Sequence, residues 1–259
     1  MTDRLALSWS GGKDSALTLW ALRRDGHEPA ALVTTVTETY DRISMHGVRR
    51  TLLARQAEAA RIPLVEVLIP PACSNDVYEQ RLEQAFASAP LAGIDTVAYG
   101  DLFLEDIRAY REERLAAVGR RGLFPIWGLD TSQLAHQFIA AGFEATLICV
   151  DPGQLDPSFV GRGFDQRLLT DLPVAVDPCG ENGEFHTFVH AGPILAPRSS
   201  APTATSCTVT ASSSASATHL TRPARSNRRR TAPDQSGVRT YFGPVSPPLR
   251  AALSHRESV

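Results

Sequence analysis

Lysine is nearly missing from this sequence. Lys13 is the only one among 26 basic side chains, and the rest are arginine. Arginine serves wherever a generic positive charge will do, so a lone lysine inside a glycine-rich string points to chemistry. A compact ammonium meets a phosphate as a point charge, where the planar guanidinium is bulkier. Cysteine is scarce as well. Cys73, Cys149, Cys179 and Cys207 lie far apart with no C-x-x-C spacing, which argues against a disulfide framework and against a closed zinc site. No apolar run approaches the roughly 18–20 residues of a membrane span. Residues 1–4 run straight into a strand-like stretch, so no signal peptide and no membrane partner are expected, and the cytoplasm is the default location.

What is present is an ordinary globular mix, 43% hydrophobic and 21% charged over 259 residues, enough for one large domain or two small ones. The net charge of −2 hides an asymmetry. Residues 1–195 carry 17 Lys and Arg against 26 Asp and Glu, whereas residues 196–259 carry 9 Arg against 2 acids. The acidic body lacks the clustered positive charge that nucleic-acid binding needs, so nucleic acid is not an expected partner.

Strand and helix patterns alternate along the first half. Strands are expected at 5–9, 30–36, 64–69 and 96–99, and helices at 14–24, 52–60, 75–87 and 105–118, with a polar loop at 38–47. That alternation implies a mostly parallel sheet with helices on both faces. Residues 123–128 read as a crossover. A helix at 133–141, a strand at 144–150, a short helix at 165–172 and a loop from 179 entering a strand then form a smaller lobe, 124–195. The domains expected are therefore 1–123, 124–195 and a tail, 196–259. Ser, Thr, Ala, Pro and Arg dominate the tail and apolar periodicity vanishes. It cannot bury enough apolar area to offset its ordering entropy, so disorder is expected. A shift of reading frame near codon 196 would leave the same break, and resequencing separates it from a genuine tail.

The first chemistry lies at Ser8-Trp9-Ser10-Gly11-Gly12-Lys13-Asp14-Ser15. A parallel strand delivers this turn to the carboxyl edge of the sheet, where open α/β folds bind ligands. Two glycines allow close backbone approach, and the next helix offers unpaired N–H groups and the positive end of its dipole. Ser10 and Ser15 add hydroxyls and Lys13 adds charge. The result is a cradle for a polyphosphate. It is neither the G-x-x-x-x-G-K-[ST] loop nor the G-x-G-x-x-G fingerprint. The bland alternative is a Gly-Gly strand-to-helix turn with chance polar neighbours, and the full string outweighs it.

The second lies at Asp177-Pro178-Cys179-Gly180-Glu181-Asn182-Gly183-Glu184-Phe185-His186-Thr187. Two carboxylates, an amide and an imidazole share a glycine-broken loop. Glu184 or His186 is a candidate general base, given a pKa near the working pH. A surface turn closed by Asn182-Gly183 is the structural alternative, and a metal site lacks further spaced ligands. Cys179 reads as a buried neutral thiol before it reads as a nucleophile.

The S-G-G-K-D-S string resembles the loop of the PP-loop ATP pyrophosphatases. Together with C-G-E-N-G-E-F-H-T it resembles the diphthine–ammonia ligase family. Met45-His46-Gly47, Tyr99-Gly100-Asp101, Pro125-Ile126-Trp127 and Gly161-Arg162-Gly163-Phe164-Asp165 agree, over about residues 3–195. The resemblance implies an α/β, HUP-type nucleotide lobe with a smaller α+β substrate lobe. It implies ATP and Mg²⁺, adenylation of a carboxylate with loss of pyrophosphate, and capture by ammonia. One departure concerns the substrate. The diphthamide enzymes carry G-E-G-G-E-[YF]-E-T, whereas Asn182 and His186 here resemble a bacterial subgroup acting on a different carboxylate. Another concerns the end, since relatives continue past 192–194 with one more strand.

On this reading Ser8, Ser10, Gly11, Gly12, Lys13, Asp14, Ser15, His46 and Gly100 hold ATP. Asp14 or Asp101 can carry Mg²⁺, but helix-terminal charge explains Asp14 equally well, and an exposed loop histidine explains His46. Glu184, His186 and Asp101 are the catalytic candidates. Glu181, Asn182 and Gly183 face the substrate, a small or protein-borne carboxylate. Ammonia arrives free or from a partner amidase, and a homodimer stays open. The rivals are a non-catalytic ATP or AMP sensor of the universal-stress type and a tRNA-modifying PP-loop enzyme. The second would need paired cysteines or a basic lobe.

Overall fold

The computed structural model describes residues 4–38, 42–43 (backbone only) and 48–196. His46 and the tail expected from composition lie outside the described residues. Eight strands and six helices follow in order: β1 Leu5–Ser8, α1 Lys13–Arg24, β2 Ala31–Thr37, β3 Arg42–Ile43, α2 Arg50–Ala60, β4 Leu64–Ile69, α3 Asn75–Ala87, β5 Thr96–Ala98, α4 Glu105–Ala117, β6 Arg121–Leu123, α5 Thr131–Ala140, β7 Glu144–Val150, α6 Gln166–Asp171 and β8 Phe185–Ala191.

Five of these strands form a parallel sheet in the order β4-β2-β1-β5-β6. The short β3 runs antiparallel to β2, pairing Val36 with Ile43. Because β4 occupies one edge of β2 along its length, β3 sits on the β1 side, past the end of β1. Successive strand residues point to opposite faces, and the core divides accordingly. Leu5, Leu7 and Leu32 pack with Leu17, Leu19 and Leu53 of α1 and α2. Ala6, Val33 and Val97 pack with Phe86 of α3 and Leu115 of α4. This is the expected α/β, HUP-type layer arrangement. Chain connection reverses direction between β1 and β5, the place where open α/β sheets bind ligands at the strands' carboxyl ends.

Two strands depart from the sequence reading. β6 falls just ahead of the expected crossover, in a stretch to which no element was assigned. It has three residues, opens on Arg121 and has Gly122 at its centre, so no apolar alternation marks it. β3 falls within the expected polar loop and has only two residues. The remaining elements match within a few residues, as fraying ends allow.

β7 and β8 form a separate antiparallel pair. Their inward residues Leu147, Phe185 and Val189 join Phe138 of α5, Phe164 and Leu168 of α6 in the same cluster as Leu17 and Leu19 of α1. The second lobe thus closes over the α1 face, and one continuous apolar core serves both. Asp130 and Asp165 cap α5 and α6 by accepting from Gln133 N and Leu168 N, each at 2.8 Å. Among the described residues no helix is long and apolar enough to cross a membrane.

Candidate active site

β1 ends at the half-buried Ser8, and Trp9 N still pairs with Val33 O at 2.8 Å. The chain then turns through Ser10, Gly11 and Gly12 into α1. Gly11 has φ +77, and a Cβ there would stand 2.6 Å from Gln56 Oε1, so the turn requires glycine twice over. Ser10 Oγ accepts from Gly12 N at 3.3 Å and lies 3.3 Å from Ser15 Oγ. Ser15 Oγ donates to Gly12 O at 2.9 Å. Among the described residues no acceptor meets the amides of Ser10, Gly11, Asp14 or Ser15. Unpaired donors at a helix N-terminus beside a glycine turn fit phosphate oxygens.

Lys13 is 2% exposed. Its Nζ donates to both oxygens of Asp14, at 2.8 and 2.9 Å, and lies 5.7 Å from the centre of the Phe185 ring. Burial opposes the ammonium, but Asp14, with Cys179 and Glu181 behind it, outweighs that and holds Lys13 above its ordinary pKa. The single lysine is therefore a buried, charged group at the start of the helix that follows the glycine turn.

The second motif comes to the same place. Lys13 N donates to Thr187 Oγ1 at 3.1 Å, and Val189 N to Gly11 O at 2.9 Å. β8 thus runs directly beside the glycine turn. Gly100 closes the other side: a Cβ there would stand 2.9 Å from the Asp14 carbonyl carbon. Next to it, Leu102 N donates to Glu181 Oε1 at 2.8 Å. Ser10 to Ser15, Gly100 to Leu102 and the 177–187 loop therefore meet at the carboxyl edge.

Where they meet, the carboxylates differ sharply. Glu184 is 2% exposed, and its Oε1 accepts from Asp177 N at 2.9 Å and Asn182 Nδ2 at 3.0 Å. Asp177 in turn accepts from Cys179 N at 2.8 Å and from Thr131 Oγ1 at 2.6 Å. Glu184 therefore builds the loop, with only Oε2 lacking a partner among the described residues. Asp101 forms an ion pair with Arg111 Nε of α4 at 2.8 Å, and Arg111 also lies 4.2 Å from the centre of the Tyr99 ring. Glu181 is the group nearest neutrality: burial, aided by Asp14 and Asp101, lifts it to about 7 against the pull of the Leu102 amide. Burial, helped by Lys13, pushes His186 down to about 4, so its ring is neutral at pH 7. Burial lifts the Cys179 thiol to about 12, and Sγ donates to Thr131 O at 3.3 Å. That favours the neutral-thiol reading over a nucleophile.

Among the described residues no three His, Cys, Asp or Glu side chains are grouped to hold a metal. Asp14 and Asp101 are each already paired with a cation. Mg²⁺ commonly takes one or two carboxylates plus substrate phosphates and water, so an ion here would come with the nucleotide.

Sequence reasoning overlooked Gln56. Its Oε1 accepts from Trp9 Nε1 at 3.1 Å, and its Nε2 donates to Gly11 O at 3.0 Å and to Val189 O. A polar residue at 56 on the buried face of α2 was the available signal.

Residues 3–122 match the diphthamide synthase N-terminal domain, and residues 130–203 match the diphthamide synthase C-terminal domain. No curated protein matches the chain significantly. The glycine turn with its buried lysine lies in the first matched region and Glu181 to Thr187 in the second. The chain belongs to the diphthamide synthase family and is a PP-loop enzyme that uses ATP.

Proposed function

We propose that this enzyme is an ATP-dependent amide ligase acting on a carboxylate other than diphthine. A substrate carboxylate oxygen attacks the α-phosphorus of ATP, and the bond to the β-phosphate oxygen breaks to release pyrophosphate. Ammonia then attacks the acyl carbon of the mixed anhydride. AMP leaves, and the nitrogen gives up a proton to a base. The observation that carries this reading is the meeting of the buried Lys13 cradle with Glu181, a carboxyl lifted to about 7 by burial. The cradle supports pyrophosphate as leaving group. A base near neutrality suits proton removal from the attacking amine.

The base role expected for Glu184 or His186 passes to Glu181 in this proposal. Glu184 Oε1 is committed to the loop, and a ring held at about 4 is a poor base at pH 7. Asp101 is tied to Arg111. Asn182 holds Glu184, so a change there alters the loop that meets the substrate. Mg²⁺ would offset phosphate charge beside Asp14.

Pyrophosphate exchange into ATP, screened over candidate carboxylates, tests the first half-reaction. Ammonium-dependent AMP formation tests the second. The ligase reading expects exchange with at least one carboxylate and amide formation on adding ammonium. ATP binding without exchange for any carboxylate would sink it and favour a nucleotide sensor.

A further inference from the structure

We infer that Gln56 is the positioning residue that sets the phosphate-binding turn. This deepens the reading of Ser10 to Ser15 as the ATP cradle and rests on it. Gln56 is 5% exposed and sits on α2, outside both recognisable motifs. Its primary amide has one acceptor oxygen and two N–H donors. The oxygen takes the indole N–H of Trp9 at 3.1 Å. One N–H goes to Gly11 O at 3.0 Å and the other to Val189 O. An indole only donates and a peptide carbonyl only accepts, so the partners themselves dictate which end of the amide is oxygen.

The consequence lies in the backbone between those contacts. Gly11 O also accepts from Val189 N at 2.9 Å, so two donors aim the peptide joining Gly11 to Gly12. The amides of Ser10 and Gly11 on the preceding peptides meet no acceptor among the described residues. Holding that carbonyl fixes the peptide whose N–H, Gly12 N, donates to Ser10 Oγ at 3.3 Å, and with it the turn that carries the Ser10 and Gly11 amides. The side chain also occupies the space beside Gly11, where a Cβ would stand 2.6 Å from Oε1. Gln56 therefore reserves position 11, where φ is +77, for glycine from outside the turn. Through Val189 it ties the same peptide to β8, the strand carrying His186 and Thr187.

Neither neighbouring residue type can repeat this. Leucine fills the volume but removes the acceptor of the Trp9 indole N–H and one donor each from Gly11 O and Val189 O. Glutamate, ionised, sets a carboxylate against two carbonyl oxygens, and only its protonated form donates one hydrogen bond.

The test compares ATP with AMP, which lacks the β- and γ-phosphates, by calorimetric titration on the full chain beside thermal unfolding. For Gln56→Leu the expected result is ATP affinity weakened about tenfold or more, with AMP affinity within about twofold of the unsubstituted protein. Gln56→Glu should weaken ATP likewise at pH 8. Relative to the unsubstituted protein at each pH, it should recover partly as the pH falls and the carboxyl takes up a proton. A residue that only supports the fold would lower ATP and AMP affinity together, and that result overturns the inference. Unchanged ATP affinity in a folded variant overturns it too, as does failure of both variants to fold. Lys13→Ala separates the two levels. If it and the Gln56 variants all leave ATP affinity unchanged, the cradle reading itself has failed. If only Lys13→Ala loses ATP, the cradle stands and the role of Gln56 falls.

Discussion

At the scale of single residues, burial decides what each ionisable group can do. Lys13 is buried yet charged because its ammonium donates to both carboxylate oxygens of Asp14. A group so placed has no solvation to lose when phosphate arrives, and its contact with phosphate is charge-assisted. Losing such a contact costs about 1.5–3 kcal/mol, or roughly tenfold to a hundredfold in affinity. Lys13→Ala should lower ATP affinity by that factor in calorimetric titration, and Lys13→Arg should not restore it, since the larger planar group needs space the buried site lacks. Glu181 shows the opposite balance. Its carboxyl titrates at about 7 against an ordinary 4.5, burial being the main cause. Between those two values the folded chain holds a proton that the unfolded chain has released, so this group's contribution to stability falls as pH rises through the window. Glu181→Gln should flatten the decline in denaturant-derived stability from pH 4.5 to 7. Identical slopes for the two proteins would refute the assignment.

At the scale of elements, the N-terminus of α1 is completed by another part of the chain. Gly12, its capping residue, makes no side-chain cap. Thr187 of β8 accepts from Lys13 N instead, at 3.1 Å. The element that positions the phosphate cradle is thus finished by the strand that carries the second motif. Thr187→Val keeps the shape of the side chain and removes the acceptor. Loss of a cap costs about 1 kcal/mol, and in a domain of this size that corresponds to a melting point lower by roughly 2–4 °C. ATP affinity should fall in the same variant, because the first turn of α1 holds the free amides. An unchanged melting point would mean that the hydroxyl adds nothing to the helix. The turn after β5 meets α1 equally closely at Gly100, where there is no room for a methyl group beside the Asp14 carbonyl.

At the scale of the whole molecule, the regions matched to two family domains share one apolar core. Leu17 and Leu19 from the first pack in the same cluster as Phe138, Phe185 and Val189 from the second. Separating them would expose that surface, so neither should unfold alone. Calorimetry of the full chain should give one transition for residues 4–196, with calorimetric and van't Hoff enthalpies in agreement. Two resolved transitions would show that the lobes fold separately.

The layer architecture was legible in the sequence because alternating apolar runs and helical periods survive at the level of local composition. So was the glycine turn with its lysine, since Ser10, Gly11, Gly12 and Lys13 are adjacent in the chain and the lone lysine marks them. The Arg121–Leu123 strand was not, because its pairing with β5 stabilises it and its own three residues carry no pattern. For Gln56 the sequence offered only a polar residue on an apolar helix face, since its partners Trp9, Gly11 and Val189 are distant in sequence. The roles of Glu181, Glu184 and His186 had the same origin. Residue type made all three candidates, but burial and hydrogen-bond partners, which exist only in the folded chain, separated the loop-building carboxylate from the one left near neutrality. Sequence by itself determined that a glycine turn with a single lysine and a polar motif exist. Tertiary structure alone decided that they lie side by side and which of their groups are buried or committed to hydrogen bonds, because proximity and desolvation are properties of packing.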